Sequence, residues 1–335
     1  MKRLSLLAVV ILVLGVFSAA HAQSDPTLVD TVVQAFEQTR ASTSLHVAAQ
    51  SLTEQSGDAG FGGGSQQGQS AWDVAVAADG SWNLSGSTST VLQVGDNQMQ
   101  NAIQYVVLDG VTYVNLDEAQ MGQMRGQTDQ ATTPQGWIEV SADGTDQTAG
   151  FPMLGSTANL SGQALGALLL PMSADSITAL GALPDDIIDG QTMHVYQINL
   201  DAQAVIDSEA SALLRGSGFG GGFGGGFGGG QPSQGSGDGS GVPPDGQTPP
   251  TDGQGTPPSD GQRPSFDQAL DPANVIVTLA VYIGADDGFV HRISSVIETA
   301  STARDGSRVV STVTSITDFS AFNQPVSISA PQIGA

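Results

Sequence analysis

Chemistry in a protein needs convergent polar side chains, so histidines, carboxylate clusters and glycine-rich loops are weighed first. Past residue 22 the histidines are His46, His194 and His291. A histidine can act as general base or metal ligand. Each of these three lies in a stretch that reads as a strand, and their spacing matches no metal motif. They read as solvated or core-edge imidazoles. Asp143-Gly144-Thr145-Asp146 and Asp185-Asp186 concentrate carboxylates. Neither has the alternating oxygen ligands and closing Glu of a calcium loop. Turn chemistry accounts for both. No Gly-x-Ser-x-Gly elbow occurs. The tract "GFGGGFGGGFGGG" at 218–230 lacks the Lys and Ser/Thr of a phosphate-cradling loop. No catalytic residue, no metal site and no cofactor is expected, and the chain does not read as an enzyme.

Bulk properties narrow the class further. The chain has 335 residues, no cysteine, 9 Lys and Arg, and 33 Asp and Glu. It opens "MKRLSLLAVVILVLGVFSAAHAQS", with a positive start, an apolar run over 6–17 and a small-x-small "AHA" at 20–22. That is the form of a cleaved signal peptide, expected over residues 1–22. The apolar run is shorter than a membrane span needs, and no transmembrane segment is expected in the mature chain. Losing Lys2 and Arg3 with the signal leaves 7 − 33 = −26 charges. Phosphate backbones and anionic lipid surfaces repel such a chain, so nucleic acid is not an expected partner. Without cysteine there is no disulfide, no thiol catalysis and no lipid anchor on the bacterial pattern. The protein is expected to be exported and to be periplasmic, wall-associated or extracellular.

The elements follow from periodicity. Asp25-Pro26 starts a helix whose apolar face carries Leu28, Val32, Ala35 and Phe36. Residues 44–52 alternate as a strand, and 56–70 reads as a loop holding Phe61. Hairpins are expected over 71–87, turning at Asp79-Gly80, and over 104–118, turning at Asp109-Gly110. Residues 136–141 form a short strand. The apolar spacing in 151–185 predicts two short helices split at Pro171. Residues 190–201 read as a strand and 202–215 as a helix. The Gly/Pro-rich stretch 216–264 cannot bury enough apolar surface to order itself and is expected to be a disordered insertion. A long hairpin over 274–301 bends at Asp286-Asp287-Gly288, and 307–320 supplies the last strand.

This order predicts an α+β fold. A single meandering antiparallel sheet curls into a half-open barrel, with helices covering the concave face. The strand faces and the helix pair at 160–183 are two matched apolar surfaces. They either pack as an ordinary core or leave a cavity for an acyl chain or other apolar ligand. Periodicity leaves both readings open. If there is a cavity, its expected wall is Trp72, Val74, Leu165, Leu168, Leu169, Ile177, Leu180, Leu279, Val281, Ile283 and Ile293. It would hold several hundred cubic ångströms under residues 160–183.

The C-terminal stretch 281–331 has a strand, an Asp-Gly turn, a strand with Arg292 and a final strand. It ends in a tail of Asp318, Phe319, Ser320, Phe322, Pro325, Val326, Ile328 and Pro331. With "YVVLDGVTYVNL", "GWIEV" and "DGQTMHVYQINLD" before it, it resembles the LppX/LprG-type family of envelope lipoproteins. With the opening helix the resemblance covers about 200 residues. It implies the half-open barrel of the Lol-type lipoprotein carriers and one discontinuous domain over 25–215 and 265–331. It also implies binding or shuttling of lipids or lipidated molecules in the envelope, without catalysis. The expected partner is thus a lipid or other apolar ligand. An envelope protein engaging a filled barrel is the alternative.

Overall fold

The computed structural model describes residues 25–57, 64–77, 80–94, 97–116, 136–140, 166–208, 272–302 and 308–333. The chain divides into two units, one of Met1–Gly218 with Leu270–Ala335 and one of Phe219–Ala269. All described residues belong to the first. The expected signal segment 1–22 and the expected insertion 216–264 lie outside the described residues.

Helix α1, Pro26–Arg40, begins as the sequence predicts. The Asp25 carboxylate accepts from the Thr27 N–H at 3.0 Å, and Pro26 occupies the first turn. Its buried face is Val29, Val32, Ala35, Phe36 and Thr39. The strands are β1 Ser44–Gly57, β2 Gly64–Val76, β3 Trp82–Val94, β4 Asn97–Leu108, β5 Val111–Leu116 and β6 Trp137–Val140. They continue as β7 Ile177–Ile188, β8 Gln191–Leu200, β9 Val275–Gly284, β10 Val290–Thr302 and β11 Arg308–Ser320. A short helix α2, Ala202–Asp207, follows β8 and is capped by Asp201.

Eleven described strands form one antiparallel sheet in the order β6-β5-β4-β3-β2-β1-β11-β10-β9-β8-β7. Two meanders of consecutive strands meet where β1 pairs with β11, from His46↔Ser320 to Gly57↔Val309. Tight turns set the hairpins. Asp109 and Gly110 have φ of 51° and 78°, and Asp189 and Gly190 have 51° and 84°. Positive φ at both central residues matches the right-handed twist of the flanking strands. The edges β6 and β7 do not pair with each other, so the sheet is not closed.

Two expectations are corrected. Residues 64–70 belong to β2 and do not form a loop. The second expected helix, over 177–183, is strand β7. Its misleading period comes from a bulge. Ile177 pairs with Leu200 while Ala179 pairs with Asn199, so Thr178 is an extra residue. One extra residue inverts the alternation. Ile177 and Leu180, three apart, therefore share the core face as helix neighbours would. Leu183 points to the opposite face, beside Val195 and Met193. Residues 166–176 form turns. A helix pair over the concave face is thus not what covers this sheet. The main core joins one face of the sheet to the buried side of α1, to Leu168, Leu170 and Met172 of the turn segment, and to Val205 of α2.

Candidate ligand cavity

The core face changes character along the strands. Near α1 it is apolar and closed. Leu45, Val47, Trp72, Val74, Leu84 and Phe319 are at most 2% exposed. One transverse row there runs Val114, Tyr105, Gly86, Trp72, Val47, Phe319 across six paired strands. Trp72 stacks with Tyr105 at 5.6 Å between centroids. Burial pushes the Tyr105 phenol well above its usual range.

Two to four residues further along each strand, the same face becomes hydroxyl-rich. The next rows run Thr88, Ser70, Ala49, Thr317, Ile293 and then Thr90, Gly68, Ser51, Ser315, Ser295, Leu279. These side chains border a cavity of about 190 Å³. Its described wall also includes Thr53, Gln66, Ile297, Val313 and, from the turn segment, Ala167 and Leu170. Strands β3 and β9 both line it, although five strand spacings separate them. In a flat sheet that is about 24 Å. The sheet must curl for one small cavity to touch both.

Two features hold this geometry. Gly68 has no Cβ, and one placed there would lie 2.6 Å from Ser51 Oγ, so glycine lets the Ser51 hydroxyl stand in the wall. The turn segment is tied down by Arg40 at the end of α1. Its Nε donates to the Leu168 carbonyl at 2.5 Å and its Nη2 to the Leu170 carbonyl at 2.6 Å. Burial lowers the Arg40 pKa, yet a guanidinium stays charged in that range. On the wall itself, Ser295 and Ser315 share a hydrogen bond of 2.6 Å.

Of the sequence-derived wall residues, Leu279 and Ile293 line the cavity. Trp72, Val74, Leu168, Ile177, Leu180, Val281 and Ile283 are buried in the packed core. Leu169 is partly buried against that core, and Leu165 lies outside the described residues. The hydroxyl-bearing wall escaped a search for apolar faces. Its signal is present as alternation of small polar residues, in Ala49-x-Ser51-x-Thr53 and Val313-x-Ser315-x-Thr317.

The histidines stand elsewhere, each against a carboxylate. His46 meets Asp73 at 2.9 Å, His194 meets Asp185 at 3.1 Å, and His291 meets Asp287 at 3.0 Å. None is among the described residues lining the cavity. Among the described residues no three His, Asp or Glu side chains cluster so as to hold a metal ion. No described helix is long and apolar enough to cross a membrane.

No family model matches the chain, and no curated protein matches it. Solved structures do. Lipoprotein LppX of Mycobacterium tuberculosis is 17% identical, with 91% of this chain and 100% of that one covered and a TM-score of 0.38. LprF from Mycobacterium bovis is 12% identical, with coverage of 92% and 98% and a TM-score of 0.39. A DUF1329 family protein from Desulfovibrio piger is 9% identical, with coverage of 91% and 96% and a TM-score of 0.23. The resemblance stated from the sequence thus meets LppX itself among the similar solved structures.

Proposed function

We propose that the chain is a non-enzymatic, exported binding protein that carries or senses a lipid or lipidated molecule in the cell envelope. The observation that supports this most is the cavity on the core side of the sheet. Six neighbouring strands and the 166–172 segment converge on it, and its lining includes the apolar side chains of Leu170, Leu279, Ile293, Ile297 and Val313. Burial of an acyl chain against such a wall contributes about 0.8 kcal/mol per methylene. The sequence resemblance to lipid-handling envelope proteins points the same way.

The size of the cavity favours a second reading. At about 190 Å³ it is below the range of roughly 300–1,000 Å³ usual for ligand pockets. A barrel filled mostly by its own side chains would act by engaging a protein. Native mass spectrometry of the purified protein, followed by organic extraction, separates the two. Co-purifying lipid is the expected result. A clean apo mass in protein made in its own envelope would sink the carrier reading.

A further inference from the structure

The identity of the ligand's polar part is constrained by what the wall offers. Thr53 and Thr317 are 4% and 6% exposed and line the cavity. Neither hydroxyl has a hydrogen-bond partner among the described residues. Neither hydroxyl is among the fully enclosed unpartnered atoms of the described residues, so both are reachable from the cavity and free to pair with a guest. Ser51 stands in the row between them, next to the Ser295–Ser315 pair.

The wall also lacks charge. No Asp, Glu, Lys or Arg is among its described residues. On the strands that build it, the charged positions alternate away. Glu54 follows Thr53, Glu298 follows Ile297, and Arg292 and Asp318 pair with each other at 2.5 Å beside Ile293 and Thr317. An ionised group entering the cavity would lose its hydration and meet no counter-charge. The formal net charge of −24 adds repulsion for an anion. A hydroxyl or ester would instead exchange its water for Ser and Thr partners. At about 190 Å³ the cavity is small for a ligand pocket, so the head of an amphiphile and the near part of its chain are what its wall meets.

The geometry points to a cavity that takes amphiphiles with an uncharged, hydroxyl- or ester-bearing head and rejects the anionic counterpart of the same chain length. This rests on the ligand-carrying reading above. The test is calorimetric titration of the purified protein at pH 7.5 with monolauroylglycerol and with laurate, each below its micelle concentration. The neutral ligand is expected to bind at least about tenfold more tightly, because only the carboxylate must give up its charge hydration. Equal or tighter binding of laurate overturns the selectivity and leaves the carrier reading standing. Failure of both probes overturns the selectivity, while the apo mass decides the carrier reading separately. The double variant Thr53→Val, Thr317→Val supplies a second readout. Monolauroylglycerol affinity is expected to fall about fivefold or more with Tm unchanged or raised, since the substitutions remove no hydrogen bond within the described protein and keep the side-chain shape. Unchanged affinity, or a fall in Tm, overturns the assignment of these hydroxyls to the ligand.

Discussion

Gly86 sits between Trp72 and Tyr105 in the closed part of the core, and its missing side chain is what lets the two rings approach across β3. A Cβ at that position would lie 2.7 Å from Trp72 Cε3 and 2.8 Å from Trp72 Cδ2, and would also press on the Ala71 carbonyl. Such contacts force a shift of rings or backbone in a core with no slack. Gly86→Ala is expected to destabilise by about 1–3 kcal/mol, the range for overpacking, measured by urea unfolding followed through tryptophan fluorescence. Gly181→Ala is the control, because nothing lies within 4 Å of its added Cβ; it should stay within about 0.5 kcal/mol of the parent. Asp287 gives a pH-dependent case. Burial pushes its carboxyl up, but hydrogen bonds from His291, the Phe289 N–H and Gln191 outweigh this and hold it below the usual 3.8. A depressed folded pKa contributes stability that is present above the unfolded value and is lost as pH falls through the folded one. The stability gap between the parent and Asp287→Asn should therefore be widest above about pH 4 and close below it. A gap that stays constant from pH 6 to 2.5 would remove Asp287 from the acid limb.

At the scale of elements, Arg40 joins the end of α1 to the segment that roofs the cavity. Replacing it with Met keeps most of the packing over Phe36 but leaves the Leu168 and Leu170 carbonyls without their donors. Charge-assisted hydrogen bonds of this kind are worth about 1.5–3 kcal/mol, so Arg40→Met should lose that much. Amide exchange should rise first over 166–172. Uniform exchange across the sheet, with 166–172 unchanged, would refute the anchoring role. The same elements show what local chemistry made legible. The Asp25-Pro26 start, the Asp109-Gly110 turn and the shared face of Val275, Val277, Leu279, Val281 and Ile283 each act within a few residues, and each is found as expected. The bulge at Thr178 is a relation between two strands and left only a three-residue spacing that imitates a helix. Residues 64–70, all Gly, Ser or Gln, look like a linker. They become strand because β1 and β3 flank them and Gln66, Gly68 and Ser70 line a hydroxyl-rich cavity that accepts small polar residues.

At the scale of the molecule, the sheet depends on one non-local seam. Every other neighbour pair in the order joins consecutive strands, whereas β1 and β11 come from opposite ends of the described chain. That seam closes only when both meanders have the right register. The connection between α2 and β9, residues 209–271, is part of the loop it must close. Where this connection leaves and returns is fixed by packing within the first unit. Val205 of α2 and Val275 of β9 share the core, and the 3-10 turn Pro272–Asn274 lies against α2. Packing within the first unit thus holds the two ends close, and a connection that only closes a loop is expected to cost closure entropy in proportion to the logarithm of its length. Deleting 218–262 shortens the connection roughly threefold, which lowers that cost by about 1 kcal/mol. The deleted chain should therefore unfold in a single cooperative step at an equal or slightly higher Tm, measured by calorimetry. It should also keep the ligand selectivity of the parent, since no described lining residue is removed. A broad or lost transition would mean that the stretch contributes to the fold. Cooperative unfolding with lost binding would place its role at the cavity.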